Sequence, residues 1–201
     1  MDQLLDHLVY GTPDLLGAVE RFAAATGLQP VEGGRHPQWG TRNFLVGLGG
    51  TTYLELLGPD LDAPSSIVDF TGTDRLLTWA IHPADLEAAV VAARAAGAEL
   101  GEVGPMSRST PTGETVSWRV SRAAQWPYDG VVPFVIDWGT TPRPATTMTD
   151  AGELLGFRGS HPQATEVRAA LAALGADLEV TEGPPALTAT VRGPRGEFPL
   201  G

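Results

Sequence analysis

Apolar residues follow two spacings along the chain, and these predict short strands alternating with helices. Leu4–Tyr10 is a short, mainly apolar run typical of a strand, and Leu15–Thr26 has apolar residues at helical spacing. Asp14 is placed to cap that helix and Gly27 to end it. The elements predicted next are strands over Gln29–Glu32, Asn43–Leu48 and Thr52–Leu57, with a glycine-bounded loop over Gly33–Gly40.

The same order of elements returns twice. The second round has a strand at Leu76–Ile81, a helix at Asp85–Ala96, and strands at Glu99–Val103, Glu114–Ser121 and Val131–Trp138. The third, shorter round has a strand at Glu153–Phe157, a helix at Thr165–Leu174, and strands at Asp177–Thr181, Ala186–Val191 and Glu197–Leu200. Segments 81–105 and 160–184 also line up when one-residue slips are allowed, including the Gly-Pro pair at the end of each.

This repetition predicts an α+β fold built from duplicated β-α-β-β-β modules. Curled mixed sheets from two modules would enclose a cavity. We expect the two modules at about 1–72 and 73–140, forming one domain over 1–140. A linker at 141–149 would lead to the third, partial module at 150–201, packed on the same domain.

Composition removes several kinds of chemistry. The chain has 13 basic residues, all Arg, no Cys and 24 acidic residues. Thiolate and Schiff-base chemistry are therefore excluded, which leaves His, carboxylates, Arg and hydroxyl groups. A net charge of −11 disfavours nucleic acid and anionic membranes as partners, since both attract basic surfaces. No long apolar segment or secretion signal is evident, so we expect a cytoplasmic protein.

Several stretches together resemble the glyoxalase-like branch of the vicinal oxygen chelate superfamily, which includes glyoxalase I, extradiol dioxygenases and bleomycin-resistance proteins. They are Leu5-Asp6-His7-Leu8-Val9-Tyr10, Gly33–Asn43, Tyr53-Leu54-Glu55-Leu56 and Pro133–Gly139. The resemblance covers about residues 4–140. It implies paired modules around a cavity and a small-molecule ligand, but this fold supports many reactions.

The resemblance also implies a metal site with one ligand from the first and one from the fourth strand of each module. His7 and Glu55 match these positions in the first module. An imidazole and a carboxylate suit Zn, Fe, Mn or Ni. The alternative is a hydrogen-bonded His7–Glu55 pair in a pocket without metal or other cofactor.

The second module departs from that pattern. Alignment on the helix starts places Thr78 opposite His7, and alignment on the following glycine places Ile136 opposite Glu55. Asp137 is the carboxylate of the last strand, and a one-residue slip would decide whether it joins the site as a third ligand. Otherwise water or His36 would have to complete the metal shell.

Other candidates lie near the predicted loop and in one later strand. His36 and Glu55 are candidates for moving protons, while Trp39, Arg42 and Asn43 are candidates for binding substrate. The alternative is a structural loop in which Trp39 caps the core and His36 packs on Pro37. Trp118 and Arg119 share a strand, so one would line the cavity and the other would face away.

Two functions follow as hypotheses. The first is a lyase, isomerase or dioxygenase acting on a small oxygenated metabolite, with a divalent metal at His7 and Glu55, joined by Asp137. The second is a non-catalytic protein that binds a small molecule without metal, as bleomycin-resistance proteins do. A homodimer is a further expectation from the fold.

Overall fold

The computed structural model describes residues 4–72, 74–148 and 151–201, and it shows two sheets with three helices packed around them. The predicted module boundary at 73 and the end of the predicted linker at 149–150 lie outside the described residues. No helix within the described ranges is long and apolar enough to cross a membrane.

Eight strands form one closed sheet in the order β1-β4-β3-β2-β6-β7-β8-β5. They are β1 (Leu5–Gly11), β2 (Val31–His36), β3 (Thr41–Gly47), β4 (Tyr53–Pro59), β5 (Arg75–Ile81), β6 (Glu102–Ser109), β7 (Thr115–Arg122) and β8 (Phe134–Asp137). Pairs β1–β4 and β5–β8 are parallel, and β1 pairs antiparallel with β5 to join the two halves. The expected α+β class with a curled sheet around a cavity is confirmed.

A second, four-stranded sheet has the order β10-β9-β11-β12. Its strands are β9 (Glu153–Ser160), β10 (Glu179–Thr181), β11 (Ala186–Arg192) and β12 (Glu197–Leu200). The helices are α1 (Leu15–Thr26), α2 (Leu86–Ala95) and α3 (Ala164–Leu174). α1 has the bounds that its spacing predicts, because the Asp14 side chain accepts from Gly17 N and Gly27 ends the helix in a left-handed conformation.

The outer face of the closed sheet packs on the helices and the second sheet. Phe22 of α1 is fully buried and meets the ring of Phe198 edge-on at 5.2 Å. Trp79 of β5 meets Phe157 of β9 at 5.2 Å and donates to the Val131 carbonyl. Burying one such ring contributes about 1.5–3 kcal/mol. Because strands alternate their side chains, the residues between these apolar positions point inward, toward the cavity.

Two elements extend beyond their predicted ends. β2 continues through the predicted loop to His36, and β6 continues past Pro105 to Ser109. Gly34, at φ +135°, permits the close approach of β2 to β6, since a Cβ there would lie 2.0 Å from the Ser109 carbonyl oxygen. β6 pairs with β2 only at Ser109, so Pro105 lies on an edge where its missing N–H costs no hydrogen bond.

Candidate functional site

The closed sheet encloses a cavity of about 840 Å³, and the side chains that line it are mainly aromatic and aliphatic. The aromatic side chains are Trp39, Tyr53, Trp118, Trp126, Phe134 and Trp138. Among the polar side chains are His7, His36, Asn43, Glu55, Thr78 and Arg108. A volume of this size with a mainly apolar lining is typical of a small-molecule site.

His7 is held in the cavity wall by a buried carboxylate from its own neighbour in the chain. Its Nδ1 lies 2.7 Å from Asp6 Oδ1, and Trp138 Nε1 donates to the other oxygen of Asp6 at 3.0 Å. Consecutive strand residues normally point to opposite faces, but the pairing of β1 with β5 shifts between Leu5 and His7. This bulge allows Asp6 to reach the imidazole.

The Asp6 contact determines which nitrogen of His7 faces the cavity with a free lone pair. An ionised carboxylate only accepts, so Nδ1 carries the proton and Nε2 of the neutral ring is an acceptor. The ring stacks on Tyr53 at 4.6 Å and meets the edge of Phe134 at 5.5 Å, which limits its rotation. The imidazole is therefore oriented for accepting a proton or for binding a metal.

Glu55 faces this imidazole from the parallel neighbour β4. Its Oε2 lies 3.8 Å from His7 Nε2, which is too long for a hydrogen bond. Its Oε1 accepts from Asn43 Nδ2 at 2.6 Å, so the carboxylate is held by β3 as well. The space between Nε2 and Oε2 can admit an atom that contacts both groups.

His36 and Arg108 also belong to the polar part of the wall. His36 Nδ1 lies 3.1 Å from the Thr41 hydroxyl. Burial lowers the pKa of His36, with Arg108 acting in the same direction and the Glu55 carboxylate opposing it. His36 is therefore neutral at pH 7. Burial also raises the pKa of Tyr53 well above its ordinary value, so its phenol stays protonated.

The structure brings together six of the nine residues singled out from the sequence. His7, His36, Trp39, Asn43, Glu55 and Trp118 all line the cavity. Arg42 faces outward and donates to Glu32 at 2.9 Å, and Arg119 pairs with Glu87 of α2 on the exposed side. Alternation along the strand explains both, because their inward neighbours are Asn43 and Trp118.

Asp137 is not brought to the His7–Glu55 pair. Its Oδ1 accepts from Gly139 N at 2.8 Å, while the preceding residue, Ile136, lines the cavity. Register decides this outcome, since Val120 pairs with Ile136 and Arg119 pairs with Asp137. The inward position on β8 is therefore apolar.

Asp6, Arg108 and Tyr53 are site residues that the sequence analysis did not single out. Arg108 was missed because Gly104-Pro105 was expected to end the strand. Gly104, Met106 and Arg108 are buried at alternate positions of β6, and that alternation is the signal available in the sequence. Alternation along the strand could not have identified Asp6, because the bulge turns its side chain away from the face that alternation predicts.

The donor set fits only part of a metal centre. His7 and Glu55 suit a divalent transition metal, but the residues that align with them in the second half of the sheet, Thr78 and Ile136, line the cavity with a hydroxyl and an apolar side chain. Within the described ranges, no group of three or more His, Cys, Asp or Glu residues could hold a metal ion. Two strong protein donors are fewer than the three typical of catalytic sites, so these residues do not by themselves fit a resident metal.

A model of the glyoxalase-like domain family matches residues 5–175. The chain belongs to the glyoxalase-like domain family. The resemblance to the vicinal oxygen chelate superfamily is thereby confirmed, and the family match extends into the C-terminal sheet beyond residue 140. A search of curated protein sequences finds no significant match.

Solved structures share the fold of this family member at low sequence identity. A hypothetical protein from Staphylococcus aureus is 14% identical, with a TM-score of 0.61, covering 98% of this chain and 84% of that one. The Mn(II)-bound glyoxalase from Novosphingobium aromaticivorans is 14% identical, with a TM-score of 0.57, covering 92% of this chain and 63% of that one.

A weaker similarity is to the methylmalonyl-CoA epimerase of Streptomyces coelicolor in complex with 2-nitronate-propionyl-CoA. It is 21% identical with a TM-score of 0.46, covering 66% of this chain and 95% of that chain. The two structures with TM-scores of 0.61 and 0.57 share the fold of this chain. The activity of this chain has to be argued from its own cavity.

Proposed function

We propose that this protein is an enzyme that binds a small oxygenated metabolite in the cavity and moves a proton at the carbon next to its carbonyl group. The observation that carries this proposal is the Asp6–His7 pair, in which Nδ1 faces the buried carboxylate and Nε2 faces Glu55 inside the cavity. A histidine oriented by a buried carboxylate is a common arrangement for a general base.

In this proposal His7 Nε2 takes the proton and the buried Asp6 carboxylate stabilises the imidazolium that results. Glu55, 3.8 Å away, also stabilises that positive charge, while Asn43 holds the carboxylate in place. The neutral His36 and the aromatic wall orient the ligand and exclude water. Loss of the proton leaves an enolate, and a lyase- or isomerase-type reaction continues from that enolate.

The same two side chains are the ones that would bind a divalent metal such as Zn, Fe, Mn or Ni. Because the aligned residues of the second half, Thr78 and Ile136, add no strong metal donor, we derive the proton transfer from the side chains alone. His7 and Glu55 carry the proposal with or without a metal.

The test is proton exchange with solvent. The protein is incubated in D2O with each of three 2-oxo acids: pyruvate, 2-oxobutyrate and phenylpyruvate. The amide of each acid is tested in parallel, and all samples are followed by proton NMR. We expect faster loss of the signal next to the carbonyl with wild type, and at least a hundredfold slower exchange with His7→Gln or Glu55→Gln, the lower end of general-base effects. Arg119→Met is the matched control, since Arg119 faces away from the cavity.

A second function is favoured by one observation, the mainly aliphatic and aromatic wall of the cavity. In this alternative the protein binds an apolar small molecule without turning it over. Binding of the panel with no exchange above the uncatalysed rate would support this alternative and would contradict the enzymatic proposal. Native mass spectrometry of the purified protein would then detect a retained ligand.

A further inference from the structure

Arg108 differs from the other arginines of the described chain in its burial. It is the only buried arginine among the described residues, with 9% of its surface exposed. Six other arginines lie at least partly exposed beside carboxylates: Arg21, Arg35, Arg42, Arg94, Arg119 and Arg192. The position of Arg108 therefore needs a reason that surface pairing does not supply.

The guanidinium of Arg108 lacks a charged partner within the described part of the chain. Its recorded hydrogen bond is a long one, from Nη1 to Asn43 Oδ1 at 3.4 Å, and its buried Nε has no acceptor. Arginine keeps its positive charge in proteins, and an unpaired buried charge is costly. Keeping such a group buried lowers the stability of the fold. An anionic ligand would supply the missing partner.

The surrounding backbone makes room for this guanidinium. Gly33 of β2 is buried, and a Cβ at that position would lie 2.3 Å from Arg108 Nη1 and 2.4 Å from Asn43 Oδ1. The absence of a side chain at Gly33 thus allows Arg108 and Asn43 to lie against β2. Asn43 also donates to Glu55, so its amide side chain connects the Arg108 guanidinium to the His7–Glu55 pair.

We propose that Arg108 binds the carboxylate of the ligand, and that the ligand class is small 2-oxo or 2-hydroxy monocarboxylic acids. The planar guanidinium can hold a carboxylate with two hydrogen bonds. A single negative charge fits better than a phosphate dianion, because Asp6 and Glu55 already place two carboxylates in this wall. Arg108 is then the residue that determines specificity for acids.

This inference rests on the proposed function, and the same panel of three 2-oxo acids and their amides tests it. Dissociation constants are measured by calorimetry and by quenching of the tryptophans that line the cavity. We expect wild type to bind the acids about tenfold or more tightly than the amides, since a hydrogen-bonded charge is involved.

Arg108→Met should weaken acid binding at least tenfold while changing amide binding less than threefold. Arg119→Met, which loses the same charge outside the cavity, should leave both unchanged. Arg108→Lys should restore part of the preference, because it keeps the charge without the planar fork. His7→Gln should keep the preference for acids while losing proton exchange.

The outcomes separate the two proposals. Equal binding of acids and amides by wild type, or an unchanged preference in Arg108→Met, would overturn the role of Arg108 and leave proton transfer standing. Binding without His7-dependent exchange would overturn proton transfer and leave Arg108 standing. If Arg108→Met does not fold, the wild-type preference and Arg108→Lys still decide the matter.

Discussion

On one side of the cavity, β1, β3 and β4 bring four polar side chains into contact: Asp6, His7, Asn43 and Glu55. On the other side, β5 and β8 place Thr78 and Ile136 at the corresponding positions. The first side is a network in which each group has a partner. On the second side, the Thr78 hydroxyl is buried without a hydrogen-bond partner among the described residues.

In this closed sheet, the hydrogen-bonded network around His7 lies on the wall formed by β1, β3 and β4. Polar groups in a cavity wall remain costly unless each is hydrogen-bonded, and the first wall meets this requirement through the bulge at Asp6 and the amide of Asn43. The second wall is mainly apolar and shapes the space. Four changes would break or sharpen this contrast.

The largest effect is expected from Asp6→Ala, which removes the shared acceptor of the polar wall. It would leave His7 Nδ1 and Trp138 Nε1 without their buried partner. We expect a loss of about 3–5 kcal/mol in the free energy of unfolding, measured by urea denaturation. Asp137→Ala is the matched control, because that carboxylate binds only the exposed Gly139 N–H. A loss below 1 kcal/mol for Asp6→Ala would contradict the network.

The next effect comes from adding donors to the apolar wall. Thr78→His with Ile136→Glu would give the cavity four strong metal donors, two from each side. We expect the affinity for Zn²⁺ or Mn²⁺ in calorimetry to rise by about a hundredfold over wild type, within the range of a few kcal/mol that added ligands supply. The control adds His7→Gln to the double variant and should lose most of the gain. An affinity no higher than that of wild type would show that the two walls do not face a common point.

A smaller effect is expected from Thr78→Val. Valine has nearly the shape of threonine and removes a hydroxyl that is buried without a partner. We therefore expect the free energy of unfolding to rise by about 1 kcal/mol in urea denaturation. Thr41→Val is the contrasting variant, since the Thr41 hydroxyl contacts His36 and its removal should destabilise the protein. A loss of stability in Thr78→Val would mean that the second wall is also hydrogen-bonded.

The smallest effect concerns pH. Burial lowers the pKa of His36, so the unfolded chain binds a proton at this residue more readily than the folded chain below the ordinary histidine pKa of about 6.5. Stability should therefore fall as the pH drops from 7.5 to 5.5. His36→Gln should reduce that slope by less than about 1.4 kcal/mol per pH unit, the limit for one proton. An identical slope in both proteins would contradict the lowered pKa of His36.

Much of the fold could be predicted because local signals agree with the final structure. α1 begins after its Asp14 cap and ends before Gly27, and β12 has its predicted bounds. His7 and Glu55 were placed together through the family resemblance, which the family match supports. The duplication of one module stays a prediction, as does the division of the chain at 140 and 150.

Other features depended on contacts between distant segments. Gly33 and Gly34 locally predict a loop. They form part of β2 instead, because they lie against Arg108 and Ser109 of β6. Pro105 did not end β6, because the strand has an edge there. Arg108 was overlooked for the same reason, since its strand was expected to end before it.

By itself, the sequence determined the α+β class, the capped helices and the polar residue types that could do chemistry here. Only the tertiary structure decided which of them face one another. Strand side chains alternate, so the β7–β8 register turned Ile136 inward and Asp137 outward, while a single bulge turned Asp6 toward His7. Which side chains of a strand point into a closed sheet depends on how that strand pairs with its neighbours. The sequence of one segment alone does not contain that pairing.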